Sequence, residues 1–239
     1  MSAAAIKLEN LSKVYGNEDS AALCGLSFSV ERGEAVALIG SNGAGKSTVI
    51  SILSTLLRPS SGRASVAGFD VLRDPARVRQ EIGVVQQWVT LDPTARIRDI
   101  LELHARLAGL NGASLASRVG ELLELAGLER AARRRVHQLS GGMQRKLDIS
   151  LALICEPPVL LLDEPTDNLD SPSRLEFWEE LSRLRDTGTC VLFTSQDQEE
   201  IEYLADRVMV LTDGLLVRED AIPSQPARGW STDVDAVAG

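Results

Sequence analysis

The chain has 239 residues, enough for one sizeable core with a subdomain, and its composition of 44% hydrophobic and 25% charged residues is typical of a globular protein. The formal net charge of −9 argues against nucleic acid as the main partner, because phosphate backbones are usually bound by a basic face.

The N-terminal part of the sequence predicts strands. Apolar and polar residues alternate near the N terminus and again over 26–30, before a turn that contains glycine. The apolar run at 35–39 has the length of a buried strand and leads into a glycine-rich loop. A helix is expected to begin at Lys46 and to continue through Leu57, since Pro59 would end it.

The next part of the sequence changes character. From about Asp99 to Cys155, leucine, isoleucine and valine recur at helical spacing, which predicts a helical insertion. Strand signals return at 159–162, 190–194 and 208–211, with amphipathic helices between them. Alternation of strands and helices predicts a mainly parallel sheet that is covered on both faces.

Cysteine usage and hydropathy bear on the environment of the protein. The three cysteines are far apart and lack a CxxC spacing, which indicates reduced core thiols, with no disulfide framework and no metal site. We expect no signal peptide, and the most apolar window, Leu151 to Leu162, is too short to cross a bilayer. Any role at a membrane would therefore depend on a partner. The tail from Ala221 has prolines and little periodicity, and we expect it to be flexible.

The glycine-rich loop fits the pattern G-x-x-x-x-G-K-[ST], which follows a strand and opens a helix as a phosphate-binding loop should. Its backbone N–H groups can surround a β-phosphate, and the helix N terminus adds positive potential. Lys46 would contact the outer phosphates, and the hydroxyl of Ser47 would bind Mg²⁺. The alternative, a glycine turn before a helix, is much weaker because strand, motif and helix occur together. The predicted nucleotide-binding residues of the loop are Gly40, Ser41, Asn42, Gly43, Ala44, Gly45, Lys46, Ser47 and Thr48.

Two carboxylates follow the apolar run at 160–162. A buried parallel strand delivers the side chains at its C-terminal end to the ligand-binding crevice. Asp163 is placed to hold Mg²⁺ through water, and Glu164 is placed to orient and polarise an attacking water. The alternative, a strand that ends in solvated acids, is weak beside a phosphate-binding loop.

The segment LSGGMQRK predicts a second helix start that is rich in small residues. Ser140 is a favourable N-cap, and Gly141 and Gly142 leave backbone N–H groups accessible to an anion. The segment lies in the helical insertion, so we expect that it cannot reach the phosphate-binding loop of its own chain. A two-fold dimer would let it cap the γ-phosphate that the other subunit binds; without the other motifs it could be read as a simple capped helix.

From about Ile6 to Val217 the sequence resembles the ATP-binding subunits of ABC transporters. The matching segments, in chain order, are YG at 15–16, GSNGAGKST at 40–48, RPSSGRASVAG at 58–68, IGVVQQ at 82–87, LSGGMQRK at 139–146, LLLDEPTDNLD at 160–170 and LADRVMVLTDG at 204–214. The resemblance implies an α/β P-loop NTPase fold with a mainly parallel core sheet and an N-terminal antiparallel β part. It also implies one domain at 1–220 with a helical subdomain at about 88–157, followed by the flexible tail at 221–239.

The resemblance implies roles for individual side chains. Tyr15 would stack on adenine, with an ordinary tyrosine at a strand end as the weaker alternative. Gln87 would contact Mg²⁺ and the water and link the site to a membrane partner, with Gln86 as the alternative register. Trp88 would pack against that partner or fill the junction between lobes. Asp170 would cross the dimer interface.

The sequence departs from the family pattern at two positions. Met143 replaces a frequent glutamine, but its backbone can do the same work. Gln196 stands where the family usually has a histidine that contacts the γ-phosphate, and glutamine can donate a hydrogen bond but carries no positive charge. Neither His104 nor His137 occupies that place. Either the site is weakened, or Gln196 serves because the other catalytic groups supply most of the stabilisation, which we favour.

These features predict an ATP-hydrolysing subunit that uses ATP and Mg²⁺ and resembles the daunorubicin-resistance type of drug exporters. Its expected partners are a second nucleotide-binding subunit, forming a homodimer, and a separate integral membrane permease; nucleic acid is not expected. The expected location is cytoplasmic, peripheral on the inner face of a bacterial plasma membrane, with a drug, antibiotic or other hydrophobic compound as cargo. The alternatives are a soluble ABC ATPase of translation or DNA repair, which the single P-loop and the lack of heptads argue against, and a low-turnover regulatory subunit.

Overall fold

The computed structural model describes residues 4–16, 21–87, 91–167 and 169–222. The strands are β1 (Ile6–Val14), β2 (Ala21–Val30), β3 (Ala35–Ile39), β4 (Ser61–Val66), β5 (Phe69–Asp70), β6 (Ile82–Val85), β7 (Val159–Asp163), β8 (Cys190–Thr194), β9 (Arg207–Thr212) and β10 (Leu215–Ala221). The α-helices are α1 (Lys46–Leu53), α2 (Pro75–Glu81), α3 (Ile97–Leu107), α4 (Gly112–Leu125), α5 (Gly141–Ala152), α6 (Ser171–Asp186) and α7 (Gln198–Leu204).

A six-stranded sheet forms the centre of the molecule, in the order β10-β9-β3-β8-β7-β6. Neighbouring strands are parallel except for β10, which runs antiparallel to β9. All residues of β3, β7 and β8 are buried, as expected for strands that are covered on both faces. Because parallel strands end at the same edge, the residues that follow Ile39, Asp163 and Thr194 meet at one edge of the sheet.

A second, antiparallel sheet has the order β2-β1-β4-β5 and lies on one face of the central sheet, with α1 in the core between them. Leu8 of β1 lies opposite Phe28 of β2 and Ala64 of β4. One apolar cluster contains this sheet, α1, and alternate residues of the central strands such as Val36 and Leu161. The parallel core and the N-terminal antiparallel part confirm the predicted fold class.

The chain between β6 and β7 is helical. Helices α3, α4 and α5 pack together through buried side chains such as Leu101, Leu122 and Leu147, in a cluster that reaches the other face of the central sheet. This is the region in which helical spacing predicted an insertion. The subdomain boundaries at about 88–157 stay a prediction, and residues 88–90, with Trp88, lie outside the described ranges.

Helix α1 ends earlier than predicted, at Leu53 and not at Leu57. Thr55 has φ 63°, its N–H bonds to the carbonyl of Ile52, and the N–H of Leu56 bonds to the carbonyl of Ser51. These two bonds form a Schellman cap, which usually has glycine at the left-handed position. Threonine at this position does not indicate a helix end in the sequence, so the apolar spacing predicted a helix that was too long.

Within the described ranges, none of the helices combines the length and apolar character that crossing a membrane requires. Most of the tail that was predicted to be flexible, residues 223–239, lies outside those ranges.

Candidate nucleotide-hydrolysis site

The phosphate-binding loop connects β3 to α1 at the carboxyl edge of the central sheet. Gly40 has φ 151°, and a Cβ at this position would lie 2.2 Å from the backbone oxygen of Leu211. Gly45 has φ 105°, and a Cβ there would lie 2.5 Å from the backbone oxygen of Ala22. Both ends of the loop therefore require glycine, for backbone conformation and for space.

Lys46 is the buried cation of this loop. Its Nζ donates hydrogen bonds to the backbone oxygens of Gly40, at 2.6 Å, and Ser41, at 3.0 Å. Burial lowers the pKa of Lys46, and the nearby Glu164 and Asp163 carboxylates oppose that shift. The ammonium thus lies near both the loop carbonyls and the carboxylates of Asp163 and Glu164.

The two acids at the end of β7 are held by the neighbouring strand β8. Asp163 lies opposite Thr194, whose Oγ1 donates to Asp163 Oδ1 at 2.6 Å. The N–H of Glu164 donates to the same Oγ1 at 3.0 Å. One threonine hydroxyl therefore links both acidic residues.

The Glu164 carboxylate lies between two glutamines. Gln87 Nε2 donates to Glu164 Oε2 at 2.9 Å, and Gln196 Nε2 donates to Glu164 Oε1 at 2.9 Å. Gln196 Nε2 also lies 3.3 Å from Asn42 Oδ1 in the phosphate-binding loop. The side chain that contacts Glu164 is that of Gln87, whereas its neighbour Gln86 contributes a backbone oxygen elsewhere. Each carboxylate oxygen thus accepts one amide hydrogen bond, which fixes the plane of the carboxylate.

A cavity of about 330 Å³ opens between these groups. It is lined by Asn42, Gly43, Gly45, Lys46, Ser47, Thr48, Gln87 and Glu164. Tyr15 lies beside it, with its hydroxyl 3.4 Å from Thr48 Oγ1 and 47% of its surface exposed. An exposed ring next to the phosphate-binding loop is in a suitable place to stack on a base.

The donor set of the cavity suits Mg²⁺ bound with a nucleotide. Magnesium prefers oxygen ligands and commonly takes one or two from the protein, together with substrate phosphates and water. Ser47 supplies a hydroxyl and Asp163 a carboxylate at the same edge of the sheet. Because Gln87 donates through its amide nitrogen, its amide oxygen is the atom that would serve as a ligand.

The helix start that was predicted within LSGGMQRK is the N-terminal turn of α5. Ser140 is the N-cap, and its Oγ accepts a hydrogen bond from the N–H of Met143 at 3.3 Å. Gly141 and Gly142 are the first two residues of the helix. In the described part of the chain, the residues that line the cavity include none from this turn. Asp170 is exposed at the start of α6, and Asn168 lies outside the described residues.

Sequence reasoning did not single out three charged residues around Glu164. Arg145 is only 3% exposed and donates to the backbone oxygens of Asp163, Glu164 and Pro165. Burial and the neighbouring Glu164 carboxylate raise the pKa of Asp167. Glu200 is buried and accepts hydrogen bonds from Thr166 Oγ1, at 2.8 Å, and from a tryptophan. A basic residue three positions before an acid on a helix, such as Arg145 before Asp148, usually forms an ion pair on the surface. The spacing alone therefore did not predict that Arg145 is buried.

Comparison with known proteins decides the family. The family model described as ABC transporter matches residues 23–167, which is more than half of the chain. The chain belongs to the ABC transporter family.

Curated ABC relatives are similar over nearly the whole chain. The doxorubicin resistance ATP-binding protein DrrA of Mycobacterium tuberculosis is 41% identical over 98% of this chain and 70% of its own length. The daunorubicin resistance ATP-binding protein DrrA3 of Streptomyces coeruleorubidus is 42% identical over 99% of this chain and 74% of its own length. Among solved structures, the dimeric ATP-binding cassette MJ0796 in a post-hydrolysis state with ADP and Pi has a TM-score of 0.84 and 29% identity, over 92% of this chain and 100% of that one.

The protein is therefore an ATP-binding and ATP-hydrolysing ABC subunit, which confirms the predicted fold class and activity. The relatives also confirm the resemblance to the daunorubicin-resistance type. They favour a transporter subunit over the translation, repair and low-turnover alternatives.

Proposed function

We propose that this ABC ATPase powers export of a drug, antibiotic or other hydrophobic compound through a separate integral membrane permease, working as a homodimer. It would bind at the cytoplasmic face of the plasma membrane only through that permease. The names of its relatives support the export assignment. The observation that carries the hydrolytic assignment is the Glu164 carboxylate, held at 2.9 Å by each of two glutamines beside the phosphate-binding loop.

In this proposal, each side chain of the site has a defined task. The backbone N–H groups of residues 40–48 cradle the phosphates, and Lys46 neutralises charge on the outer ones. Glu164 orients and polarises the attacking water, because the two amide hydrogen bonds hold its carboxylate in one plane. Ser47, Gln87 and Asp163 would hold Mg²⁺, Asp163 through water. Bound Mg²⁺ would neutralise charge on the nucleotide phosphates.

Gln196 takes the place of the usual histidine as a neutral donor. Its amide bonds to Glu164 Oε1 and lies 3.3 Å from Asn42 Oδ1, so it joins the catalytic acid to the phosphate-binding loop. This contact supports the interpretation that glutamine serves at this position without a positive charge. In the competing interpretation, glutamine in place of histidine weakens the site, and turnover would be much lower than in family members that have the histidine.

The dimer would complete the site. The N-terminal turn of α5, with Ser140, Gly141 and Gly142, would cap the γ-phosphate bound by the other subunit, since helix N-termini attract anions. Asp170 is exposed at the start of α6, where it can contact a second subunit. The dimeric form of the MJ0796 cassette supports this arrangement.

A cleft beside Gln86, the residue before Gln87, is the proposed contact for the permease. It has a volume of about 320 Å³ and is lined by Ser54, Leu56, Arg79, Ile82, Val84, Gln86 and Asp148. Leu56 lines the cleft and is 63% exposed, so an apolar side chain of a permease segment could pack on it. A permease segment in this cleft would contact the residue that precedes Gln87 and so link the membrane partner to the site.

The substitution Glu164→Gln tests the hydrolytic proposal. With its permease, the purified variant should bind Mg-ATP and form a closed dimer but should not hydrolyse ATP. Normal hydrolysis by this variant would show that another group orients the water. A variant that stays monomeric with saturating Mg-ATP, even beside the permease, would contradict the dimer.

The export proposal needs a separate test. Cells that express the chain with its permease should accumulate less of an anthracycline than cells that carry the Glu164→Gln variant with the same permease. Sedimentation with membranes only when the permease is present would support the proposed location. Copurification with ribosomes and not with membranes would favour the soluble alternative.

A further inference from the structure

Arg145, in the second turn of α5, holds the backbone around the catalytic acid. Its Nη2 donates to the backbone oxygens of Asp163, at 3.1 Å, and Glu164, at 2.7 Å. Its Nε donates to the backbone oxygen of Pro165 at 2.7 Å. Three successive carbonyls are thus bound by one buried guanidinium.

The backbone that Arg145 holds is strained. Glu164 has φ 47°, in the left-handed region that residues other than glycine seldom adopt. Such a conformation persists only when the surrounding structure fixes it, and strained residues tend to occur at active sites. The hydroxyl of Thr194 fixes the N–H of Glu164, and Arg145 fixes the carbonyls of Asp163, Glu164 and Pro165.

The same guanidinium also reaches the segment that carries Gln87. Its Nη1 donates to the backbone oxygen of Gln86, the residue before Gln87, and lies 3.4 Å from Asp148 Oδ2. One side chain therefore bonds the carbonyl of Glu164 and the carbonyl of the residue before Gln87, and the side chains of Gln87 and Glu164 meet at 2.9 Å. The planar fork of arginine makes this possible, because it presents five N–H donors in fixed directions.

We propose that Arg145 is a positioning residue for hydrolysis, which sets Glu164 and Gln87 at their working separation by holding both backbones. This inference rests on the proposed role of Glu164. Arg145 is not among the residues that line the nucleotide cavity, so it would act through the groups that do. Loss of its fork should lower the rate of the chemical step and leave nucleotide binding largely intact.

The test compares Arg145→Lys and Arg145→Gln with the unchanged chain, in complex with the permease. Lysine keeps the charge but concentrates its donors on one nitrogen, so it cannot span the carbonyls of Gln86 and Glu164. We expect kcat to fall at least about tenfold in both variants while KM and the Mg-ATP Kd change less than about twofold, the pattern of an interaction lost in the transition state. Rates are expressed per subunit that binds nucleotide, so a loss of folded protein does not imitate a loss of catalysis.

Arg118→Lys is the matched control. Arg118 also donates to two carbonyls in the helical region, those of Leu153, at 2.5 Å, and Ile154, at 3.2 Å, but contacts no residue of the site. Equal kcat in the Arg118→Lys and Arg145→Lys variants would overturn the proposal, as would a rise in KM with kcat retained. Glu164→Gln, assayed in parallel, separates the two proposals: normal hydrolysis in that variant refutes the role of Glu164 itself.

Discussion

The amide of Gln196 is the group that replaces the usual histidine, and its removal gives a direct prediction. Gln196→Ala deletes the donor to Glu164 Oε1 and the contact with Asn42 Oδ1, and leaves the hydrogen bond from Gln87 to Glu164 Oε2. The carboxylate then keeps one of its two hydrogen bonds from amides and can rotate about the bond that remains.

The magnitude follows from the kind of bond that is lost. A hydrogen bond to a charged group contributes about 1.5–3 kcal/mol. Gln196 is exposed in the single chain, so the lower end of that range applies. Because 1.36 kcal/mol corresponds to a tenfold change in rate, kcat should fall roughly tenfold. The Mg-ATP Kd should change little, since the phosphate-binding loop and Lys46 are untouched.

The assay is steady-state ATP hydrolysis with the permease, with Gln198→Ala as the control. Gln198 lies two residues further on and donates to Glu202 Oε1 at 2.6 Å on the surface. If Gln196→Ala lowers kcat no more than Gln198→Ala does, the inferred support of Glu164 by Gln196 is wrong. A loss of a thousandfold or more would show that Gln196 does more than hold the carboxylate.

Three further predictions concern stability, the phosphate-binding loop and pH. Burial raises the pKa of Asp148 from 3.8 to about 6. The folded state is therefore most stable with respect to this group below about pH 4, where the carboxyl is protonated, and it loses that stability as the pH rises through 6. Asp148→Asn should therefore raise the free energy of unfolding at pH 7.5 by up to about 3 kcal/mol, measured by urea titration, and should have no such effect at pH 4. Gly40→Ala should abolish binding of a fluorescent ATP analogue, because its Cβ would lie 2.2 Å from a backbone oxygen. A Cβ at Gly43 meets nothing within 4 Å, so Gly43→Ala should bind the analogue more weakly but measurably. The pH profile of hydrolysis should be the same after His104→Ala or His137→Ala, and a changed profile in either variant would contradict the absence of a switch histidine.

The sequence predicted the parts of the molecule that local physics specifies. The phosphate-binding loop requires small residues at fixed spacing before a helix, and Gly40 and Gly45 are in contact with backbone that leaves no room for a Cβ. The buried strands that end at Ile39 and Asp163 were recognisable as apolar runs of strand length. The family resemblance added Gln87 and Gln196, which the structure brings to within 2.9 Å of Glu164.

Other features depend on contacts between distant segments and could not be predicted from local patterns. The end of α1 is set by a left-handed threonine, Thr55, where a stop normally shows glycine. Arg145 is buried because the carbonyls of Gln86 and Glu164 converge on it from two other segments. Periodicity gives the face of a helix, but it does not say which polar groups from elsewhere will meet that face.

Helix α5 carries two groups with different proposed tasks. Its N-cap, Ser140, would close on the nucleotide of the partner subunit, while Arg145 holds the backbone of Glu164 in the same chain. Five residues of α-helix span about 7.5 Å, so the two ends of this segment move as one rigid body. A shift of the α5 N terminus on dimer closure would therefore reach the carbonyls of Gln86 and Glu164 through Arg145. If that connection operates, Arg145→Lys should lower hydrolysis in the closed dimer without preventing closure, whereas a helix that served only to cap the partner's phosphate would tolerate the change.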